Sequence, residues 1–302
     1  MKKLLLASTA LVGMAGAAAA EMSLSGYAEI GIKGGDYAGG NTQFHNDVVV
    51  NFNFSGETDN GLSFGGKVQL DDTNGSGAIN GAPTFDDEAF WVSGTFGKVT
   101  LGETDGAFDW ALSEIYSGTA ITDDHSTHAG AYWFTGLDGT QDNQIMRYEY
   151  SFGDVGVALS VEQDTNGAGS DDIWAVGLKW SGDLGGTAVN VGLGFQDNGT
   201  TDVAGISFGA TLAGGFGINL GYASGDLTPS GYGTANDDWI GIGVSYTSGP
   251  LLLGANYGEY DSGNDGWGVV VNYDLGGGAV AMAGYGDGTL GNSWSMGLGL
   301  SF

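Results

Sequence analysis

Apolar side chains recur on every second position through most of this chain. Leu24, Gly26, Ala28, Ile30 and Ile32 alternate with Ser23, Ser25, Tyr27, Glu29, Gly31 and Lys33. The same period returns in Val48/Val50/Phe52/Phe54, Leu62/Phe64/Val68/Leu70, Val155/Val157/Leu159/Val161 and Trp174/Val176/Leu178/Trp180. It continues in Val189/Val191/Leu193/Phe195, Phe216/Ile218/Leu220/Tyr222, Ile240/Ile242/Val244/Tyr246 and Trp267/Val269/Val271/Tyr273. A strand turns successive side chains to opposite faces, so each segment presents one apolar face and one polar or very small face. The pattern predicts strands near 22–33, 47–55, 62–72, 87–95, 98–103, 143–152, 155–164, 172–181, 187–197, 202–213, 216–225, 238–247, 250–260, 267–275, 278–286 and 292–302.

These are sixteen strands, an even number, and their connections alternate in character. Tight ones at Phe96-Gly97, Phe152-Gly153-Asp154, Ala213-Gly214-Gly215, Ser248-Gly249-Pro250 and Gly276 to Gly278 alternate with mostly longer stretches rich in Asp, Asn and Thr. Membrane barrels segregate short turns to one side and long loops to the other, whereas a soluble sandwich has no reason to. Outside the first twenty residues no window reaches 18 consecutive apolar positions, which excludes a helical membrane protein. Sixteen strands close into a barrel too wide for side chains to fill, so the small polar face must line water and the apolar face must meet lipid. The fold class expected is therefore all-β, a 16-stranded antiparallel transmembrane β-barrel.

Composition supports this. Sixty Gly among 302 residues would suggest low-complexity disorder, but Phe, Tyr and Trp make up 12%, which disorder lacks. The chain carries 36 Asp plus Glu against 7 Lys plus Arg. Lys2 and Lys3, the apolar run Leu4 to Gly16 and Ala18-Ala19-Ala20 read as a secretory signal over 1–20, leaving residues 21–302 for the barrel with only five basic side chains. Such an anionic surface argues against nucleic acid and for cations as partners. All five, Lys33, Lys67, Lys98, Arg147 and Lys179, fall on the polar face of their strands, where charge costs least. With no Cys, neither disulfides nor thiolate metal sites are available.

The stretch 103–142 lacks strand alternation and is far longer than an ordinary connection. It holds Phe108, Trp110, Tyr116, Tyr132, Trp133 and Phe134, which argue that it packs against something. It also holds Glu103, Asp105, Asp109, Glu114, Asp123, Asp124, Asp138 and Asp142 without one Lys or Arg. An acidic, packing loop on a wide barrel is expected to fold inward and narrow the lumen as a constriction loop.

The opening strand MSLSGYAEIGI, the hairpin FWVSGTFGKVTLGETDGA, the segment VNYDLGGGA and the terminal Phe302 resemble the general-diffusion porins of alphaproteobacteria, the Rhodobacter-type outer-membrane family. The resemblance spans residues 21–302 and is weakest in the long loops. It implies a homotrimer of barrels in the outer membrane, no required cofactor, and a third loop whose acids face a basic wall cluster. By position the loop is 103–142, with Glu103, Asp105, Asp109, Glu114, Asp123 and Asp124 as its acids, and the wall residues are Lys33, Lys67 and Arg147. The chain departs from the family in having a single Arg, so a predominantly negative, cation-preferring pore is expected. The resemblance further implies that Phe302, ending the row Trp294/Met296/Leu298/Leu300, is an assembly signal.

Other motifs are weaker. Gly61-Leu62-Ser63-Phe64-Gly65 and Gly205-Ile206-Ser207-Phe208-Gly209 match G-x-S-x-G but lie inside strands, where a nucleophile elbow cannot form. The run Asp123 to His128 reads as an exposed polar loop tip rather than a transition-metal site, although Asp123 and Asp124 suit weak Ca²⁺ binding. Asp261 to Gly266 resembles the start of a calcium loop but lacks the closing Glu and reads as a turn. The function expected is passive diffusion of small hydrophilic solutes and ions. The alternatives are a solute-specific channel with Trp110 and Trp133 lining a track, a barrel enzyme, and a secreted Gly/Asp-rich adhesin. A barrel enzyme would need a His paired with Ser or Asp, and all three His are expected in loops.

Overall fold

A computed structural model describes residues 21–71, 84–164 and 171–302; the signal expected over 1–20 lies outside them. The strands are β1 (Glu21–Gly35), β2 (Gln43–Glu57), β3 (Ser63–Asp71), β4 (Thr84–Gly94), β5 (Gly97–Gly102), β6 (Ile145–Phe152), β7 (Val155–Glu162) and β8 (Ile173–Asp183). They continue as β9 (Ala188–Asp197), β10 (Asp202–Thr211), β11 (Phe216–Gly225), β12 (Asp237–Ser248), β13 (Leu251–Tyr260), β14 (Asp265–Gly276), β15 (Ala279–Gly288) and β16 (Gly291–Ser301). One short helix, α1 (Ala107–Ala111), lies between β5 and β6. Each strand pairs antiparallel with its sequence neighbours and β16 pairs with β1, so the sheet is a closed barrel of sixteen strands.

Closure follows from the alternation. Leu159, Trp174, Val176 and Ile240 stand exposed, while their strand neighbours Ser160, Ala175 and Trp239 are buried. This inverts a soluble sheet, whose apolar row is the covered one, and it suits a wall whose outer solvent is hydrocarbon. Aromatics on the apolar row meet at its short-turn end, Phe216 of β11 with Tyr246 of β12 at 4.8 Å and Tyr150 with Phe152 along β6 at 4.7 Å.

The boundaries depart from the sequence reading in informative places. β2 begins at Gln43 rather than near 47, because backbone pairing of Gln43 to Asp47 with Glu29 to Lys33 continues past the apolar alternation. Pairing needs N–H and C=O groups, not apolar side chains, so polar residues extend a strand unannounced. His45 therefore lies in β2, not in a loop as expected, with Nε2 3.3 Å from Glu29 Oε2. Between β3 and β4 the register shifts from Lys67 to Gln69, and Asp87 takes a left-handed φ of 52° there, the mark of a bulge.

The seam is tied at its end. Phe302 N–H donates to Gly26 O at 3.0 Å and Gly26 N–H to Phe302 O at 2.8 Å. The Phe302 ring lies over Gly26, where any Cβ would meet it. Removing Phe302 deletes both bonds, worth on the order of 2 kcal/mol together, at the last pair of the seam. Deletion is expected to reduce the folded, heat-modifiable band on a denaturing gel while the surviving barrels keep wild-type single-channel conductance.

Candidate permeation pathway along the 103–144 connection

The connection between β5 and β6 runs out and back along the small-residue face of the barrel. Outward, Ala107 N–H donates to Ser160 Oγ on β7 at 2.8 Å and Ser113 N–H to Ser207 Oγ on β10 at 2.9 Å. Asn219 on β11 then donates to Ile115 O at 3.2 Å, Asn272 on β14 to Thr119 O at 2.7 Å, and Ser293 on β16 to Asp124 O at 3.1 Å. Returning, Asn256 on β13 donates to His125 O at 3.2 Å, Trp239 on β12 to Gly130 O at 2.9 Å, and Gln196 Oε1 on β9 accepts Leu137 N–H at 2.7 Å. Buried Glu162 at the end of β7 accepts three N–H groups, from Gly139, Gln141 and Asn143, at 2.9, 3.1 and 2.8 Å. A segment without secondary structure must bond its backbone somewhere, and here strand side chains supply the partners.

Glycine makes the approach possible. A Cβ at Gly177, Gly192, Gly243, Gly258 or Gly268 would collide with the backbone oxygen of Ala107, Ala111, Ile115, Gly130 or His125 respectively. Above this track, Phe108, Tyr132 and Phe134 are buried against Trp239, with ring centroids 6.3 Å apart for Phe108–Phe134, 5.2 Å for Tyr132–Phe134 and 5.7 Å for Phe134–Trp239. Trp239 was hidden from sequence reasoning because it belongs to the face that otherwise carries tiny or polar residues. Its size at such a position was the available signal. Ser207, from one of the two G-x-S-x-G matches, serves as an anchor for Ser113 within β10.

The acids of the segment are not alike. Glu103 Oε2 accepts Asp87 N–H at 2.9 Å, and Asp105 offers its backbone oxygen to Arg147 Nη1. Burial pushes the Asp109 carboxyl up to about 8, helped by Asp105 and Asp138 and opposed by Arg147. Glu114 is raised well above the usual carboxylate range by burial and by Asp109. Asp138 is pushed up to about 7 by burial, although Gly106 N–H at 2.8 Å and Gln196 Nε2 both donate to it. Asp124 is buried and its carboxyl raised by that burial, with Thr122 Oγ1 donating to it and Lys33 close enough to favour its charge, whereas Asp123 is exposed at a left-handed φ of 51°.

The run Asp123 to His128 is largely buried, not the exposed tip that the sequence suggested. Asn256 fixes His128 through a 2.6 Å contact, and burial depresses His125 to about 4 beside the Tyr116 ring. The run looks polar in sequence because its partners, Asn256, Ser293 and Tyr232, come from distant strands and loops. Among the described residues no group of three carboxylate or imidazole ligands gathers, around Asp123 and Asp124 or elsewhere.

Lys67 on β3, Lys98 on β5 and Arg147 on β6 share a cavity of about 390 Å³ with Trp91, Asn53, Thr100 and Thr104. Lys67 pairs with Asp87 at 2.9 Å; Lys98 and Arg147 approach Glu149 Oε1 at 3.1 and 3.6 Å. Lys179 on β8 sits 3.5 Å from the Trp110 ring centroid and donates to Trp110 O at 3.0 Å. Of the three wall residues inferred by resemblance, Lys67 and Arg147 come together, while Lys33 lies near Asp124 on another part of the wall. Lys98 and Lys179 were missed. Their parity was readable, but their meeting depends on cross-strand register, Lys98 opposite Glu149 and Lys179 opposite Gly156.

A closed antiparallel barrel, apolar outside and polar with paired charges on the other face, defines a β-barrel membrane channel. The chain belongs to the Gram-negative porin family, whose pattern it matches over residues 7–293. It is 30% identical over 306 residues to the porin of Rhodobacter capsulatus, covering 90% of this chain and 96% of that one. A refined porin structure superposes with a TM-score of 0.71 at 25% identity, covering 93% of this chain and all of the other. An engineered variant of the Rh. blastica porin shares the fold, with a TM-score of 0.73 at 18% identity and 93% of this chain covered. The protein is thus a multi-pass β-barrel of the outer membrane, in a family of channels rather than enzymes.

Two outcomes follow from the docking. Gly243→Val drives a side chain into Ile115 O and is expected to cost about 1–3 kcal/mol of overpacking and to lift the segment, raising single-channel conductance. Asp109, Glu114 and Asp138 bind protons more tightly when docked, so docking loses stability as pH rises above the ordinary carboxylate range, through about 7 for Asp138 and about 8 for Asp109. His125 acts oppositely, costing stability only as pH falls below 6.5 toward 4. Chymotryptic cleavage within 103–142, normalised to an unfolded substrate, is therefore expected to be faster at pH 9 than at pH 6.5.

Proposed function

We propose that this porin is a passive pore for small hydrophilic solutes and ions, narrowed by the 103–142 segment and preferring cations. The observation that carries the reading is the bonding of that segment to side chains on the small-residue face of β7, β9 to β14 and β16. In a barrel this wide that face lines the lumen, so a segment fixed to it reduces the aqueous cross-section. Of the acids expected to act there, Asp109 and Glu114 are muted by burial, which leaves Glu103, Asp105, Asp123 and Asp124 to supply its negative charge, and the chain as a whole carries 36 acids against 7 bases. Carboxylates facing a narrow aqueous path raise the local cation concentration. The solute-specific alternative is weakened at Trp110, whose ring face is taken by Lys179 and whose indole N–H is taken by Glu149 at 2.8 Å. The homotrimer and the role of Phe302 in assembly belong to the same reading and rest on the family resemblance.

Zero-current potentials in potassium chloride gradients test it. Cation preference is expected at a mean of about 0.1 M, falling toward unity at about 1 M as the Debye length shrinks from about 10 Å to about 3 Å. Anion preference at the lower concentration would overturn the electrostatic part, and absence of conductance would overturn the pore itself.

A further inference from the structure

The alternation in β6 places Arg147 and Glu149 on one face and Met146, Tyr148 and Phe152 on the other. Register then sets Lys98 of β5 directly opposite Glu149, and on the other side Ala158 of β7. Ala158 and Gly156 leave room on that side, and the Trp110 ring from α1 lies over Gly156. One carboxylate thereby meets four groups. Its Oε1 lies 3.1 Å from Lys98 Nζ and 3.6 Å from Arg147 Nη2, its Oε2 accepts Trp110 Nε1–H at 2.8 Å, and Lys179 is within its Coulombic reach. Lys67 completes the basic lining of the same cavity but has its own partner in Asp87.

We propose that Glu149 is a specificity-determining residue of the pore, the counter-charge that keeps the Lys98, Arg147 and Lys179 cluster from acting as a cation barrier. The inference rests on the pore reading above. Lys98 and Arg147 facing the aqueous cavity, with Lys179 held nearby against the Trp110 ring, would repel a permeating cation and attract an anion, and the carboxylate among them cancels part of that field. Removing its charge while keeping its shape changes the sign balance without moving the segment, because the Gln amide oxygen still accepts the Trp110 N–H. A single unit charge acting across several ångströms of water, screened at about 0.1 M salt, is worth about a threefold change in the cation-to-anion permeability ratio.

The test is the zero-current potential of purified full-length porin in planar bilayers. Glu149→Gln is expected to lower the potassium-to-chloride ratio about threefold at a mean of about 0.1 M, and less at about 1 M. Glu149→Asp keeps the wild-type ratio. Glu149→Gln combined with Lys98→Met restores it, because one charge of each sign has gone. Trp110→Phe, which removes the hydrogen bond and keeps the charge, leaves the ratio unchanged and so separates electrostatics from docking. Lys98→Met alone raises the ratio, which keeps the proposal testable if Glu149→Gln fails to assemble. An unchanged ratio in Glu149→Gln, an equal fall in Trp110→Phe, or no rise in Lys98→Met overturns the inference. Anion preference in the wild type would instead overturn the cation-preferring reading, while the direction of these shifts still decides the role of Glu149.

Discussion

Inside a bilayer no water is present to bond a stray N–H or C=O, so a sheet that enters one must close on itself. Most of what this chain does follows from that constraint. β16 pairs antiparallel with β1, which requires an even number of strands and sets the two ends of the sheet side by side. The backbone pair between Gly26 and Phe302 carries the ladder past the last strand residue, Ser301. Once the backbone is satisfied within the sheet, side chains are free to answer the two solvents separately. The outer row becomes apolar and the inner row small.

Smallness on the inner row does more than leave space for water. The 103–144 connection has its own backbone to satisfy and no ladder to do it, so it borrows Ser160, Ser207, Asn219, Asn256, Asn272 and Glu162 from the wall. Those bonds require backbone-to-wall distances that only glycine neighbours allow, hence the track from Gly177 through Gly192 and Gly243 to Gly268. The glycines along this track are therefore the geometric condition for a second layer against the small-residue face of the sheet. The aromatic cluster of Phe108, Tyr132, Phe134 and Trp239 then gives that layer a dry core of its own.

The period of two was enough to place sixteen strands, because alternation is a local property that each strand writes in its own residues. Strand ends were less legible: β2 runs on through Gln43, Phe44 and His45 because pairing is a backbone event. The site was legible by parity and not by position. All five basic residues could be assigned to the polar face, yet which of them meet depends on register summed across several strands, so Lys33 was grouped with Lys67 and Arg147 while Lys98 and Lys179 were passed over. The burial of Asp124, His125 and His128 was invisible for a related reason. Nothing near them in sequence announces that Asn256 and Ser293 will cover them.

Charge counted from sequence overstates the charge that a permeating ion would meet. Asp109, Glu114 and Asp138 are raised by burial toward or above neutrality, so the acidic segment carries fewer full charges than its carboxyls number. The same burial that docks the segment removes part of its field, since desolvation disfavours the charged form. On the wall the balance is struck differently, by pairing rather than by protonation, with Glu149 set among Lys98, Arg147 and Lys179. Two devices thus act on groups that touch through Trp110 and Arg147, one muting carboxyls by burial and the other muting cations by pairing. On the proposed pore reading, the residual difference between them, rather than the excess of acids along the whole chain, would set the potential along the path.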